Sequence, residues 1–257
     1  MADPKERLDQ LLVRRGLVES RTLAQRMVMA GQVRVEGQLV LQPSTRVARE
    51  ATVELSSAPR FVSRGGEKLE AALQQFHLQP AEWVCADVGA STGGFTDCLL
   101  QHGAQRVYAI DVGHGQLHWR LRNDPRVVLM ERKNARTLSE LPEPIRLATV
   151  DVSFISLRLI LPSVASWLVA GGDVVALVKP QFEAGRSQVG KGGVVKDPGT
   201  HQQVLFKILE AAKVEGLPAQ GLIRSPLVGP KGNFEFLAWL RKGGEPANLE
   251  RLVSSTS

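Results

Sequence analysis

The sequence predicts a doubly wound α/β sheet preceded by a small α+β unit, and three observations lead there. From residue 83 onward, apolar runs of strand length alternate with amphipathic helical stretches. A Gly-rich turn follows the first of those runs, where open α/β sheets bind ligands. The first quarter of the 257 residues is set apart by charge: residues 1–64 hold 11 basic and 7 acidic side chains, +4 of the total +6.

Hydrophobic residues at 43% and charged residues at 23% are ordinary for a globular chain and exclude a disordered or fibrous one. A pI near 9.6 favours a polyanionic partner such as nucleic acid. Cys85 and Cys98 are the two cysteines, without a Cys/His cluster at zinc spacing, so a reducing, cytoplasmic setting is expected and no metal site is. Residues 1–7 lack the apolar stretch of a secretory signal. The most apolar region, 157–178, is broken by Pro162 and by Gly171-Gly172-Asp173, so no membrane span is expected.

In the first unit, expected over residues 1–58, Leu8, Leu11 and Leu12 recur at helical spacing and Gly16 can end that helix. Ser20 can cap a second helix, whose Leu23, Ala24, Met27 and Val28 share a face and which Gly31 ends. Val33 and Val35 alternate with Arg34 and Glu36, and Glu36-Gly37 leads into Leu39-Val40-Leu41, a hairpin in which Glu is a poor first residue for a type I′ turn. Residues 59–64 continue a polar, Pro-containing stretch and are expected as a linker.

In the second unit, expected over 65–243 with a tail over 244–257, strands fall near 83–87, 106–110, 127–130, 146–150 and 173–178. Helices fall near 67–76, 94–102 and 157–169. The first strand delivers Asp87 into Gly89-Ala90-Ser91-Thr92-Gly93-Gly94-Phe95. That turn lacks the spacing that packs a pyrophosphate on a helix N-terminus, so a dinucleotide is disfavoured. A carboxylate beside glycines suits a ligand with an amino-acid portion, Asp87 taking the ammonium while the glycines admit close approach. The second strand ends in Asp111, placed to grip ribose hydroxyls. Together they suggest S-adenosyl-L-methionine. Gly185 to Lys191 imitates a P-loop, but Gly192 stands where a magnesium-binding Ser or Thr belongs, so nucleotide hydrolysis is rejected. The basic 181–196 stretch is expected as a mobile loop beside the site.

Further charges sit at strand ends: Asp151 after 147–150 and Lys179 after 174–178. Glu235 stands among apolar neighbours and wants a cationic partner, which Lys68 could supply.

Arg7-Leu8-Asp9, Leu12, Gly16-Leu17, Ser20-Arg21, Ala24 and the run from Gly31 to Gly37 resemble the small RNA-binding domain named after the fourth protein of the small ribosomal subunit, the alpha-L motif. That resemblance implies RNA contacts from Arg7, Arg21 and Arg26, to which Arg64 is added. Lys68, Asp151, Lys179 and Glu235, with the turn and the Asp-Val-Ser-Phe segment at 151–154, resemble the catalytic tetrad of FtsJ-type RNA 2′-O-methyltransferases. Both modules together resemble the TlyA-type hemolysin family.

The resemblance implies methylation of cytidine ribose in ribosomal RNA, with ribosomal subunits as partners. It implies Lys179 as base or hydroxyl orienter, Asp151 and Glu235 holding the lysines, and Lys68 tuning charge. It adds Val112, Asn134 and Ala135 to a cofactor set of Asp87, Gly89, Ser91, Thr92, Gly93, Gly94, Phe95, Asp111 and Asp151. The alternatives are a membrane-active hemolysin, as the family name suggests, and a ribosome assembly factor without catalysis. The subunit modified and the oligomeric state stay open at this point.

Overall fold

The computed structural model describes residues 5–29, 31–55 and 60–256, the Pro230 side chain aside. The chain divides between Arg60 and Phe61 into two compact units. No described helix is long and apolar enough to cross a membrane.

The first unit runs β1 (Lys5–Arg7), α1 (Leu8–Arg14), α2 (Arg21–Met29), β2 (Val33–Val35), β3 (Gln38–Leu39), β4 (Arg46–Ala48) and β5 (Val53–Leu55). Its core is the helical stripe read above, Leu8, Leu11 and Leu12 of α1 meeting Ala24 and Val28 of α2 and Val33 of β2. Ser20 caps α2, its Oγ accepting from the Leu23 amide at 3.2 Å. The hairpin turn has positive φ at both Glu36 (49°) and Gly37 (74°), the type I′ pattern. Glu36 adopts it while its carboxylate accepts from the Thr52 amide at 2.6 Å, an anchor the local sequence does not reveal.

The second unit contains α3 (Gly65–Gln75), β6 (Val84–Val88), α4 (Gly94–Gln101), β7 (Arg106–Asp111), α5 (Trp119–Arg122), β8 (Val127–Glu131), β9 (Ile145–Val150) and α6 (Leu161–Trp167). It continues with β10 (Leu168–Val178), α7 (Pro180–Glu183), α8 (Pro198–Val214), β11 (Ala219–Arg224), β12 (Phe236–Arg241) and α9 (Leu249–Ser254). Seven strands order as β11-β12-β10-β9-β6-β7-β8. The five from β10 to β8 are parallel, and β12 runs antiparallel between β10 and β11.

Both sheet faces are covered, so the strands read as unbroken apolar runs rather than alternating ones. Val174, Ala176 and Val178 face a core shared with α6, α8 and α9, while Val175 and Leu177 face one shared with α3 and α4. The chain lays β7 and β8 to one side of β6, then returns to place β9 on the other. The crevice between the carboxyl ends of β6 and β9 is therefore the topological switch point, where such sheets hold ligands.

Three stretches differ from expectation. The expected tail over 244–257 carries α9, which contacts α8 and β11 and buries Val253. The expected linker starts outside the described residues, at Pro59, and its Phe61 is buried in the second unit while the Val62 amide donates to Asp97 at 2.8 Å. The longest helix, α8, was not anticipated. Asp197 caps it through the Thr200 amide at 2.7 Å, and Pro198 fills its first turn, where a missing N–H costs nothing.

Candidate active site

Chain topology brings four charged residues to one edge of the sheet. Asp151 follows β9, Lys179 follows β10, and Glu235 precedes β12; because β12 is antiparallel, its start lies beside the end of β10, Phe236 opposite Val178. Lys68 reaches the same edge from the first turn of α3. The four form two ion pairs. Lys179 Nζ lies 2.5 Å from Asp151 Oδ1 and donates to Ser153 Oγ at 3.0 Å; Lys68 Nζ lies 2.5 Å from Glu235 Oε2. Glu235 is almost fully buried, so a charged partner is what keeps its ionised form tolerable. Gly229 makes room for it: a Cβ there would stand 2.2 Å from Glu235 Oε1.

Both pairs line a single cavity of about 600 Å³ together with the turn residues Gly89, Ser91, Thr92, Gly94 and Phe95. The size suits a cofactor-class ligand. Asp151 Oδ1 is taken up by Lys179, whereas Gln181 Oε1 on the same wall is buried without a hydrogen-bond partner. A buried acceptor left without a donor is one that a polar ligand at this wall would satisfy.

The Asp87 carboxylate is fully buried and already accepts from Thr96, backbone at 2.9 Å and hydroxyl at 2.7 Å, and from the Thr149 hydroxyl at 3.1 Å. Burial outweighs those bonds and raises its pKa to about 6. It pins the turn to α4 and β9 while also lining the cavity.

The glycines are likewise used by the protein itself. A Cβ on Gly89 would stand 2.3 Å from the Asp151 carbonyl oxygen, one on Gly93 2.3 Å from Leu121, and one on Gly94 2.3 Å from Ser63 Oγ. The turn needs glycine so that β9, α5 and the start of α3 can close around it. Gly93 does not line the cavity.

Asp111, Val112, Asn134 and Ala135 also stand outside the cavity wall. Asp111 accepts from the Ser91 amide at 2.7 Å and the Gly113 amide at 2.6 Å, each oxygen keeping a second lone pair for a hydroxyl. Val112 is 71% exposed, Asn134 caps a short 3₁₀ turn, and Ala135 is buried within that turn.

Of the candidate RNA contacts, Arg7 and Arg21 both grip the fully buried Asp9, at 3.0 Å each, with Gln25 completing its shell at 2.9 Å. Arg7, foremost, holds the Asp9 carboxyl far below the usual range. Arg26 is exposed, and Arg64 is exposed on the rim of the cavity.

Sequence reasoning passed over several residues here. Ser153 sits inside the Asp-Val-Ser-Phe segment but signals no role until Lys179 is seen to bond it. Phe154 is 89% exposed at positive φ (63°), its ring 4.9 Å from that of Phe182. A large apolar side chain held in that backbone region and left in water stands out. Asn233, almost fully buried, ties the 190–195 segment to the approach to Glu235, accepting from the Val195 amide and donating to the Gly193 carbonyl, both at 3.0 Å. The 181–196 stretch is thus anchored at its end, where a mobile loop was expected.

Two family models match the chain: the FtsJ-like methyltransferase over residues 61–242 and the S4 domain over residues 6–53. The Bacillus subtilis protein YqxC, provisionally named an rRNA methyltransferase, is 49% identical over 95% of this chain and 89% of its own. The 16S/23S rRNA (cytidine-2′-O)-methyltransferase TlyA of Mycobacterium tuberculosis is 47% identical over 92% of this chain and 90% of its own. A structure from Streptococcus thermophilus, solved under a provisional hemolysin name, superposes with a TM-score of 0.75 at 46% identity, covering 99% of this chain and 96% of that one. Joined to the sheet order and the paired lysines and carboxylates, these likenesses place the chain in the FtsJ-like, S-adenosylmethionine-dependent methyltransferase family, in the TlyA branch that carries an S4 domain ahead of the methyltransferase unit.

Proposed function

We propose that the chain methylates the 2′-hydroxyl of a cytidine ribose in ribosomal RNA. The observation that carries this is the meeting of the Lys179–Asp151 and Lys68–Glu235 pairs in the cavity bordered by the Gly-rich turn. The relative from Mycobacterium tuberculosis bears that activity in its name and shares nearly half of its residues with this chain.

S-adenosylmethionine, when bound, supplies an electrophilic methyl group on a sulfonium sulfur. Gly89, Ser91, Thr92, Gly94 and Phe95 border its place, with Asp87 stiffening the turn from beneath and Asp111, Val112, Asn134 and Ala135 on the flank beyond the cavity wall. The unpartnered Gln181 oxygen fits a ligand that carries a hydrogen-bond donor.

A ribose hydroxyl is a weak nucleophile, so the protein must align it and take its proton as the oxygen–methyl bond forms. Lys179 is that group. It accepts the proton only as the neutral amine, and Asp151 and Ser153 fix its nitrogen in place. Glu235 fixes Lys68, whose charge faces the backbone phosphate of the incoming nucleotide. The exposed face of Phe154 offers a stacking surface for an unstacked base beside the cavity. Arg26 and Arg64, with the outer faces of Arg7 and Arg21, bind phosphates, which gives affinity that falls with salt. In this division of labour residues 1–58 dock RNA and residues 65–243 perform the transfer.

The test is transfer of tritium from labelled cofactor to ribosomal subunits by the full chain, followed by mass mapping of the product. The expected product carries ribose-methylated cytidine, absent with Lys179→Ala. Label in a base, or a map unchanged by Lys179→Ala, overturns the assignment. RNA and cofactor binding without transfer to either subunit would instead identify an assembly factor.

A further inference from the structure

On the face of α3 and α4 away from the Lys68–Glu235 pair, three side chains of different ligand chemistry converge. Glu70 belongs to α3, Cys98 to α4, and His102 to the C-cap of α4, one turn beyond Cys98. His102 Nε2 lies 2.9 Å and Cys98 Sγ 3.8 Å from the same Glu70 oxygen, Oε2, and all the ligand atoms lie within 4.8 Å of one another. We propose that Glu70, Cys98 and His102 form a binding site for a borderline-soft divalent cation of the zinc class.

The geometry needs little adjustment. Ordinary Zn–S, Zn–N and Zn–O bonds in a tetrahedron set ligand atoms roughly 3.4–3.6 Å apart. The present 2.9 and 3.8 Å bracket those edges, and the Cys98–His102 edge, within 4.8 Å, closes by about an ångström at most to complete the centre. Thiolate with imidazole and one carboxylate is a donor set for zinc or cobalt rather than calcium or magnesium, which take oxygen.

The outer contacts also fit. Gln74 Nε2 donates to the other Glu70 oxygen at 2.8 Å, orienting the carboxylate as groups behind metal ligands do. His102 also lines a cavity of about 410 Å³ with Leu73, Gln74, His77 and Ala81, which lets water reach that side of the site as a fourth ligand. On binding, the thiol proton leaves to solvent, the imidazole carries its proton on Nδ1 instead of Nε2, and the cation replaces the His102–Glu70 hydrogen bond as the link between helices.

The position gives such an ion a structural consequence. Glu70 lies two residues beyond Lys68, and α4 begins at the Gly-rich turn, so the cation would staple together the two helices that frame the cavity. No cysteine–histidine motif announces it, because the third ligand stands 28 residues before Cys98 on another helix.

The test uses the full chain, stripped with chelator and titrated with Co²⁺ and then Zn²⁺. The expected result is one Co²⁺ per chain, with a thiolate charge-transfer band in the near ultraviolet, tetrahedral d–d bands in the visible, and displacement by Zn²⁺. Zn²⁺ should also raise the melting temperature. Cys98→Ser should abolish the charge-transfer band, and Cys85→Ala should retain it. His102→Ala, at a partly exposed helix end, should weaken Zn²⁺ binding by roughly 100-fold or more, and it carries the test should Cys98→Ser fail to fold. Absence of the band in the wild type, loss of it with Cys85→Ala, or unweakened Zn²⁺ binding by His102→Ala overturns the site. No readout depends on methyl transfer.

Discussion

The two ends of the central sheet hold buried carboxylates under opposite regimes. Toward the amino ends of β9 and β10, Asp173 is wholly enclosed: it accepts from Trp239 Nε1 at 2.7 Å and from Arg241 at 2.8 and 3.2 Å, and pairs with Arg146 at 3.1 Å. Those arginines lie over aromatic rings, Arg146 at 4.8 Å from Trp83 and Arg241 at 5.0 Å from Trp239. At the carboxyl ends the cations are lysines, each paired once with a carboxylate, beside a buried Gln181 oxygen that lacks a partner. Arginine's rigid fork closes a carboxylate off, whereas lysine's flexible ammonium leaves the pair open to exchange. The arginine-bound cluster is closed within the fold, whereas the two lysine pairs line a cavity.

The sharpest way to break that contrast is to remove one cation from the open end. Lys179→Ala is expected to lower the rate of methyl transfer by about 10²–10⁴-fold, the usual worth of a positioned proton acceptor. Thermal stability should stay near wild type, because the Asp151 left behind still reaches solvent. Single-turnover kinetics beside a circular-dichroism melt separates the two effects. A large loss of stability with Lys179→Ala would mean that this end, too, is structural.

At the closed end the balance should reverse. Asp173→Asn leaves two arginines and an indole N–H facing a neutral amide, and breaking a buried pair from one side costs about 3 kcal/mol or more. The lower part of that range applies, because Arg146 and Arg241 each keep about a third of their surface in water. Urea unfolding measures the cost, and the turnover of the folded fraction should stay within about a factor of two of wild type.

How far the sequence discloses these sites follows from how local each determinant is. The strand ends with Asp151 and Lys179, the Gly-rich turn and the Ser20 cap are stretches of a few residues, legible because backbone period and capping chemistry are local. Lys68 as partner for Glu235 follows from the cost of an isolated carboxylate among apolar neighbours. Asp173 gave no such sign: its partners stand 27 residues before it and 66 and 68 after it, and only the sheet order brings them together. The glycines are legible only in part for a related reason. Their lack of a Cβ serves contacts with Asp151, Leu121 and Ser63, which belong to other elements, so the same turn is packed by the protein on one side and lines the cavity on the other. Helix α8 was within reach, since Asp197, Pro198 and the apolar Val204, Leu205, Ile208 and Leu209 state its cap and its face.

Asp87 sharpens the comparison through pH, because it is buried among hydroxyls without a cation. With its pKa raised to about 6 from 3.8, the folded state holds the proton more tightly than the unfolded chain. Its contribution to stability is therefore greatest below about pH 4, declines as pH rises, and is gone above about pH 6, a span of roughly 3 kcal/mol. Asp9, held far below the usual range by Arg7, runs the other way: its contribution is present at neutral pH and is lost only as acid reaches its depressed pKa. Asp87→Asn should flatten the difference between urea midpoints at pH 7 and pH 4.5. Equal midpoint shifts in wild type and variant would show that Asp87 stays ionised throughout.

The smallest expected effect tests how the open end holds its lysine. Ser153 Oγ accepts from Lys179 Nζ at 3.0 Å, and the residue is exposed. A charged hydrogen bond at the surface is worth about 1 kcal/mol, so Ser153→Ala should slow transfer roughly tenfold or less. Stability and RNA affinity should hardly change. If Ser153 orients the nitrogen, the loss falls on kcat with KM unchanged, since the aligned geometry is needed in the transition state and not for docking. A purely structural turn residue would move the melting temperature instead, and a loss confined to KM would place Ser153 on the RNA rather than on Lys179.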